Sequence, residues 1–168
     1  MSTEPLAAAG FLDVYDEALP HVYGYLVRRV GSRSIAEDLT SETFMAGVAA
    51  CRAGRSELTT AWFMTVARNK LVDHWRRAGR EERGLAAVAG GTDDRYEPWD
   101  VQLDVTQAHA TLARLGPHHR TALTLRYLDG LPVALVARTM GRTVHATEAL
   151  LVRARAAFRR AYEEGDGE

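Results

Sequence analysis

Residues 60–80 read TAWFMTVARNKLVDHWRRAGR, and the interpretation of the whole chain starts from this stretch. Its apolar residues recur at three- and four-residue spacing, which predicts one amphipathic helix over Thr60–Arg80. The helix carries aromatic rings, the amide of Asn69, and five cations opposed within it by Asp73 alone: Arg68, Lys70, Arg76, Arg77 and Arg80. Rings, cations and an amide suit DNA whose bases and phosphates are both exposed. An ordinary surface helix with buried rings and solvated arginines fits the same pattern.

Charge is segregated along the chain, although the formal net charge of the 168 residues is only -1. Residues 61–80 and 142–160 are rich in arginine, and the segment between them is acidic. Two basic regions predict nucleic-acid contacts that the net charge conceals. The single cysteine, Cys51, excludes an intramolecular disulfide. No stretch approaches the roughly 18 apolar residues of a membrane span, and the first ten residues do not resemble a signal peptide, so we expect a cytoplasmic protein.

Apolar residues at helical spacing recur in the N-terminal half, and no alternating strand pattern persists. We expect residues 1–9 to be frayed and Phe11–Val30 to form a helix that begins or kinks at Pro20. Ser34, with Glu37 three residues later, predicts a capping box for a second helix that ends near residue 50. A polar loop over 51–59 precedes the central helix, which we expect to end near Gly79.

The C-terminal half is predicted to hold four helices after a linker. Gly90-Gly91 and Pro98 mark residues 84–104 as this linker. Helices are expected over 106–115, capped by Thr106 or Asp104, and over 117–128, 132–140 and 143–160. The sequence therefore predicts an all-α fold of two small helical domains, residues 1–83 and 105–168, joined by the flexible linker 84–104.

Residues 131–155 follow the pattern of a helix-turn-helix: a short helix, a tight turn at Gly141 and a longer helix capped by Thr143. In this motif the second helix lays its N-terminal residues in the major groove. The candidates for DNA contact are Arg142, Thr143, His145, Ala146, Glu148, Arg153 and Arg155. Helical hairpins of this length are also common in proteins that do not bind DNA, so both interpretations stay open.

No catalytic arrangement is recognisable in the sequence. It contains no phosphate-binding glycine loop, no Gly-x-Ser-x-Gly and no His-Glu-x-x-His. His118 and His119 are adjacent, and adjacent side chains on a helix point about 100° apart, which makes a shared metal ion difficult. We therefore expect no enzyme activity, no metal site and no cofactor.

Three blocks, in the right order, make the sequence resemble the extracytoplasmic-function (ECF) sigma factors, the small promoter-specificity subunits of bacterial RNA polymerase. AEDLTSETF at 36–44 is similar to the polymerase-binding helix of their second conserved region. AWFMTVARNKLVDHWRR at 61–77 is similar to the helix that melts promoters and reads the minus-ten element. LGPHHRTALTLRYLDGLPVALVARTMGRTVHATEALLVRARAAFR at 115–159 is similar to the fourth conserved region, which binds the minus-35 element.

The resemblance implies a transcription initiation factor that directs polymerase core to promoters and helps to melt the minus-ten element. The implied polymerase-binding residues, which would dock on the clamp helices of the largest subunit, are Asp38, Leu39, Glu42 and Phe44. The other implied partners are the polymerase flap, promoter DNA and an anti-sigma factor. The resemblance implies no cofactor and no membrane insertion.

The resemblance also implies roles for the DNA-facing residues. The loop 53–60 corresponds to the family's pocket for a flipped base. The implied minus-ten contacts are Arg55, Ser56, Arg68, Asn69, Lys70, Asp73, Arg76 and Arg77. The helix-turn-helix candidates named above become minus-35 contacts. Trp62 and Trp75 fit either core positions or stacking platforms, and we favour the core for Trp62.

The recognition helix departs from the family's pattern. Members often carry a glycine-threonine start followed by a lysine and an arginine, whereas this chain has His145, Ala146, Glu148 and Leu150. Leu135 replaces a common glutamate, and with Leu150 and Leu151 it could form an apolar face for a protein partner. Two alternatives therefore stay open: a stand-alone helix-turn-helix regulator, and a sigma-like module that titrates an anti-sigma factor.

Overall fold

The computed structural model describes the backbone of residues 4–83 and 104–165 and the side chains of residues 10–81 and 104–165. The α-helices of this part of the chain are α1 Glu4–Val30, α2 Arg33–Arg52, α3 Thr60–Arg83, α4 Val105–Arg114, α5 Pro117–Leu123, α6 Val133–Met140 and α7 Val144–Gly165. A π-helical turn, Thr124–Leu128, follows α5. The described residues form no strand, so the all-α prediction is confirmed. Within them, no helix has both the length and the apolar character that a bilayer crossing requires.

The helices belong to two compact units that divide between Asp73 and His74, inside α3. Within the second unit, a Cβ on Gly79 would lie 3.2 Å from the side chain of Pro117, so this glycine permits close packing. The helix continues through Gly79, near which we expected it to end, as far as Arg83. The predicted linker lies outside the described residues except for Asp104, so the boundaries 1–83, 84–104 and 105–168 stay a prediction.

Aromatic rings from three helices form the core of the first unit. Phe63 of α3 is fully buried, and its ring centroid lies 4.7 Å from that of Phe44 on α2 and 6.1 Å from that of Phe11 on α1. Tyr15 of α1 lies 4.6 Å from Phe44. Gly47 lets the Phe63 ring reach α2, because a Cβ at Gly47 would lie 2.5 Å from that ring. The cluster fixes α3 against α1 and α2, and it therefore determines which side of α3 faces solvent.

The start of α2 differs from the prediction. Ser32 is the N-cap: its backbone is extended, and its Oγ accepts a hydrogen bond from the Ile35 N–H at 3.4 Å. The capping box predicted for Ser34 and Glu37 is therefore wrong. Glu37 instead forms an ion pair with Arg33 of the same helix at 2.9 Å.

α1 is a single helix from Glu4 to Val30 with Pro20 in its interior. The prediction that residues 1–9 are frayed is wrong for residues 4–9, where leucine and three alanines favour a helix. Residues 1–3 lie outside the described residues. Pro20 is exposed and does not end the helix.

The second unit is built around α7. Its buried residues follow helical spacing and are Thr147, Leu150, Leu151, Ala154 and Phe158. This face contacts α4, α5 and α6. Asp104 is the N-cap of α4, since its carboxylate accepts a hydrogen bond from the Gln107 N–H at 2.9 Å.

The turn of the helix-turn-helix is confirmed. Gly141 ends α6 in the left-handed region at φ 64°. The Oγ1 of Thr143 accepts a hydrogen bond from the Ala146 N–H at 3.1 Å and caps α7. α7 runs to Gly165, five residues past the predicted end at Arg160.

Candidate nucleic-acid interface

α3 has two rows of residues spaced by four, on opposite sides of the helix. The buried row is Phe63, Ala67, Leu71, Trp75 and Gly79. The exposed row is Ala61, Thr65, Asn69, Asp73 and Arg77. The rows are offset by two residues, which is about 200° around the helix. Burial of the first row therefore turns the second row, with Asn69 at its middle, toward solvent.

The predicted minus-ten residues of α3 are accessible. Asn69, Asp73 and Arg77 are exposed, and the remaining three are half-buried: Arg68, Lys70 and Arg76. At 100° per residue, all six lie within about 100° of Asn69 around the helix. One side of α3 thus presents an amide together with four cations and one carboxylate.

Lys70 is held in an ion pair within the first unit. Its Nζ lies 3.3 Å from the Oε2 of Glu42 on α2. The Lys70 side chain is 33% exposed and the Glu42 side chain 43%, so solvent reaches both. The pair joins a predicted minus-ten residue to a predicted polymerase-binding residue.

The loop before α3 places a cation on a ring. The guanidinium carbon of Arg55 lies 5.5 Å from the Trp62 ring centroid. Trp62 is half-buried and meets Phe63 edge-on at 5.1 Å, so it is only partly the core residue that we predicted. Arg55 and Ser56 are exposed, as contact with DNA requires. Trp75 is 2% exposed and is a core residue.

Side-chain hydrogen bonds fix the start of α3. The Oγ1 of Thr59 accepts a hydrogen bond from the Trp62 N–H at 3.2 Å. The hydroxyl of Thr60 donates to Glu17 of α1 at 2.9 Å. These bonds hold the end of the loop and the first turn of α3, which includes Trp62, in place.

The acidic side of α2 contains only part of the predicted polymerase-binding set. Asp38 is exposed and Glu42 half-buried, one helical turn apart. Leu39 and Phe44 are 3% and 7% exposed, so they support this side from the core and offer no surface to a partner. Met45, which sequence reasoning missed, is 65% exposed and lies on the same side, three residues after Glu42.

The predicted minus-35 residues lie on the surface of α7 and of the turn before it. Those exposed are Arg142, Thr143, His145, Glu148 and Arg153, and those half-buried are Ala146 and Arg155. The Nη1 of Arg155 donates a hydrogen bond to the hydroxyl of Tyr127 at 2.9 Å. Sequence reasoning missed Tyr127, which is 42% exposed and comes from the π-helical turn.

The apolar face predicted for Leu135, Leu150 and Leu151 is wrong. Leu150 and Leu151 are each 4% exposed and pack inside the second unit, and Leu135 alone of the three reaches the surface. An i, i+3, i+4 face of α7 must be buried against its neighbours, and these two leucines are part of that face.

One histidine of the second unit has a perturbed pKa. Burial lowers the pKa of His119, and the cations of Arg153 and Arg160 lower it further. Within the described residues, no three His, Cys, Asp or Glu side chains gather as a metal site requires.

Two family models match the chain. Residues 14–81 match the family Sigma-70 region 2, and residues 106–158 match the family Sigma-70, region 4. The structure of the sigma factor RpoE from Bartonella quintana, in complex with the anti-sigma factor NepR, aligns with a TM-score of 0.56 at 21% identity. That alignment covers 92% of this chain and 97% of the other, and it shows a shared fold.

Two curated relatives are both named ECF RNA polymerase sigma factors. The ECF RNA polymerase sigma factor BldN of Streptomyces coelicolor is 36% identical over 155 residues, which are 88% of this chain but only 58% of BldN. The ECF RNA polymerase sigma factor SigF of Caulobacter vibrioides is 32% identical over 149 residues, which are 85% of this chain and 80% of SigF. With both sigma-70 regions in place and this degree of identity, the chain belongs to the ECF RNA polymerase sigma factors.

Proposed function

We propose that the protein is a transcription initiation factor that directs RNA polymerase core to specific promoters and helps to open the minus-ten element. The observation that carries the proposal is the arrangement of α3. One row of this helix is packed into the core, which turns Asn69 and the cations around it toward solvent. A role on polymerase would place the protein in the cytoplasm.

The acidic side of α2 is the proposed contact with polymerase. Asp38 and Glu42 complement a basic partner, and the exposed Met45 beside them adds an adaptable apolar contact. We propose that these three residues dock on the clamp helices of the largest polymerase subunit. Leu39 and Phe44 hold the helix in position from beneath.

α3 and the loop before it are the proposed minus-ten site. Arg68, Lys70, Arg76 and Arg77 hold phosphates, while Asn69 pairs with a base edge. Trp62 with Arg55 above it offers a ring and a guanidinium plane beside which an unstacked base can lie. Unstacking costs a few kcal/mol for each flipped base. Such contacts offset this cost only while polymerase holds the DNA in place.

α7 is the proposed minus-35 site. Its capped N-terminus presents Arg142, His145 and Glu148 to the major groove. Glu148 can accept a hydrogen bond from a cytosine amine, which favours a site with cytosine at that position. None of these proposed contacts makes or breaks a covalent bond, so RNA synthesis remains the work of polymerase.

Run-off transcription with core polymerase on a promoter library tests the proposal. We expect start-site-specific transcripts from the unaltered chain and none from the double variant Asp38→Arg/Glu42→Arg, which loses core binding. The matched control is Asp13→Arg/Asp16→Arg, which reverses two exposed charges on α1 and should stay active. No transcripts above those of core polymerase alone would disprove the proposal.

The same experiments distinguish the proposed function from a stand-alone regulator and from a module that titrates an anti-sigma factor. A stand-alone helix-turn-helix regulator binds its DNA equally well after both charges on α2 are reversed. A module that only titrates an anti-sigma factor binds that factor tightly and yields no promoter-directed transcript.

A further inference from the structure

We infer that Glu42 has a second role, as a positioning residue for Lys70, and that their ion pair couples the polymerase-binding surface to the minus-ten surface. The inference rests on the function proposed for those two surfaces. The observation behind it is one contact: the Lys70 ammonium lies 3.3 Å from the Glu42 carboxylate, across the α2–α3 interface. The two groups that pair here are the same two that the proposed function requires to bind elsewhere.

The contact makes the free chain a poorer ligand for both partners. A phosphate that approaches Lys70 also approaches the Glu42 carboxylate, and the two negative charges repel each other. A polymerase cation that binds Glu42 neutralises this repulsion and frees the ammonium. Because coupling between two sites is reciprocal, a phosphate bound at Lys70 equally frees Glu42 for polymerase.

The exposure of the pair limits the size of the effect. Ion pairs that solvent reaches contribute little, so we expect each partner to raise the availability of the other site roughly two- to fivefold. The pair therefore favours the complex with both core polymerase and promoter over a complex with either partner alone. It does not lock the protein, since three other cations surround Asn69 on α3.

Opening of the Glu42–Lys70 ion pair can be measured through the chemical reactivity of Lys70. Lys70 is the only lysine in the sequence, so amine acylation marks this side chain and, apart from it, only the N-terminal amine. Trypsin cleaves after Arg68 and Arg76, and after Lys70 unless that residue is acylated, so the peptide NKLVDHWR marks the acylated form and LVDHWR the unmodified one. The amine must leave the carboxylate before it attacks the reagent, so the rate of acylation reports how often the pair is open.

The experiment measures the rate of Lys70 acylation by N-hydroxysuccinimide acetate, read by mass spectrometry of these two peptides. Saturating core polymerase without DNA should raise the rate in the unaltered chain roughly two- to fivefold. The free Glu42→Gln variant should show the raised rate without polymerase. Glu37→Gln is the matched control, because it breaks the exposed Arg33–Glu37 pair on the same helix and should keep the low free rate and the full response to polymerase.

Each contrary outcome has a distinct meaning. If the rate is unchanged or falls in a complex that co-elutes with core polymerase and initiates transcription, the coupling is disproved and the proposed function stands. If Glu42→Gln reacts faster but polymerase leaves the unaltered chain unchanged, the pair is only a structural contact, and the coupling is again disproved. If the chain does not bind core polymerase, both proposals fail.

Discussion

Among the described glycines, Gly47 is the one where an added Cβ would lie closest to a neighbouring side chain. In a helix interior, Gly→Ala is ordinarily favourable by about 0.5–1 kcal/mol. At Gly47 the added Cβ would lie 2.5 Å from the Phe63 ring, and overpacking of this kind costs about 1–3 kcal/mol. We therefore expect Gly47→Ala to lower the free energy of unfolding by about 1–2 kcal/mol, measured by urea titration.

Gly24→Ala is the matched control for that substitution. A Cβ at Gly24 in α1 would meet only the end of the flexible Arg28 side chain, at 3.9 Å. We expect this variant to gain up to about 1 kcal/mol. Equal changes in the two variants would show that the ring of Phe63 does not press on α2.

His119 gives the second unit a pH dependence. Its folded pKa lies below the unfolded value of about 6.5, because burial and the nearby Arg153 and Arg160 disfavour the imidazolium. Below about pH 6.5 the unfolded chain binds a proton that the folded chain does not bind, so stability is lost as the pH falls. His119→Gln should flatten the decline in the free energy of unfolding between about pH 7 and pH 5. The exposed His145→Gln should keep that decline, and an equal slope in both variants would contradict the assignment.

Sequence reasoning predicted the single residues well where the pattern is local and poorly where it depends on tertiary packing. The cap at Thr143 is confirmed, because a threonine before a helix is a local pattern, and Asn69 is exposed, as its predicted contact with DNA requires. Leu39 received a polymerase contact from the family resemblance, although its helical spacing predicts the inner side of α2, where the structure buries it. Serine is a preferred N-cap residue, so residue type alone does not decide between Ser32 and Ser34. Gly31, at φ 67°, ends α1 just before Ser32, which is extended and becomes the cap.

At the scale of the element, the turn between α6 and α7 sets the position of α7, the proposed recognition helix. Gly141 has φ 64°, and a Cβ there would meet nothing within 4 Å, so the cost of Gly141→Ala is backbone strain alone. We expect a loss of about 1–2 kcal/mol in the free energy of unfolding and weaker transcription from promoters that depend on the minus-35 element. The measurements are denaturant titration and run-off transcription.

Gly116→Ala provides the comparison for that variant. Gly116 also has open space around it but lies at φ -57°, where an alanine is unstrained. We expect a change within about 0.5 kcal/mol. If Gly141→Ala were as mild, the left-handed turn would not be what holds α7.

Sequence patterns predicted the existence of the helices, but not how each one ends. The predicted helix over 117–128 becomes a π-helical turn from Thr124, in which the Asp129 N–H donates to the Thr124 carbonyl at 2.9 Å. The hydrogen bond of a π-helical turn joins residues five apart, one more than in an α-helix. No sequence pattern predicts such a turn, because tertiary packing decides where it forms. The turn brings Tyr127 to Arg155, so the second candidate surface has a contact that no pattern indicated.

At the scale of the whole molecule, the distribution of charge along the sequence is the observation behind the separate roles proposed for the helices. Basic residues gather on α3 and α7, and the acidic residues Asp38 and Glu42 lie on α2. A net charge of -1 hides this arrangement, because opposite charges cancel in a sum but not on a surface. The proposed DNA contacts of α3 and α7 can therefore be tested one at a time.

The salt dependence of promoter binding by the assembled holoenzyme distinguishes the contacts proposed for α3 from those proposed for α7. Arg77→Gln removes a proposed phosphate contact, and Arg142→Gln removes a cation from the proposed minus-35 surface, so each should reduce the slope of log K against log salt by about 0.7–0.9. Asn69→Ala removes a base contact and should leave the slope unchanged, while it weakens preference at one minus-ten position by about 1–3 kcal/mol.

The DNA fragment then assigns each contact to its element. On a fragment that ends between the two promoter elements, Arg142→Gln should lose its effect on the slope, because no DNA reaches α7. Arg77→Gln should keep its effect, because α3 still holds the minus-ten strand. If Arg142→Gln altered the slope equally on both fragments, α7 would not bind the upstream element, and the helix-turn-helix would need another ligand.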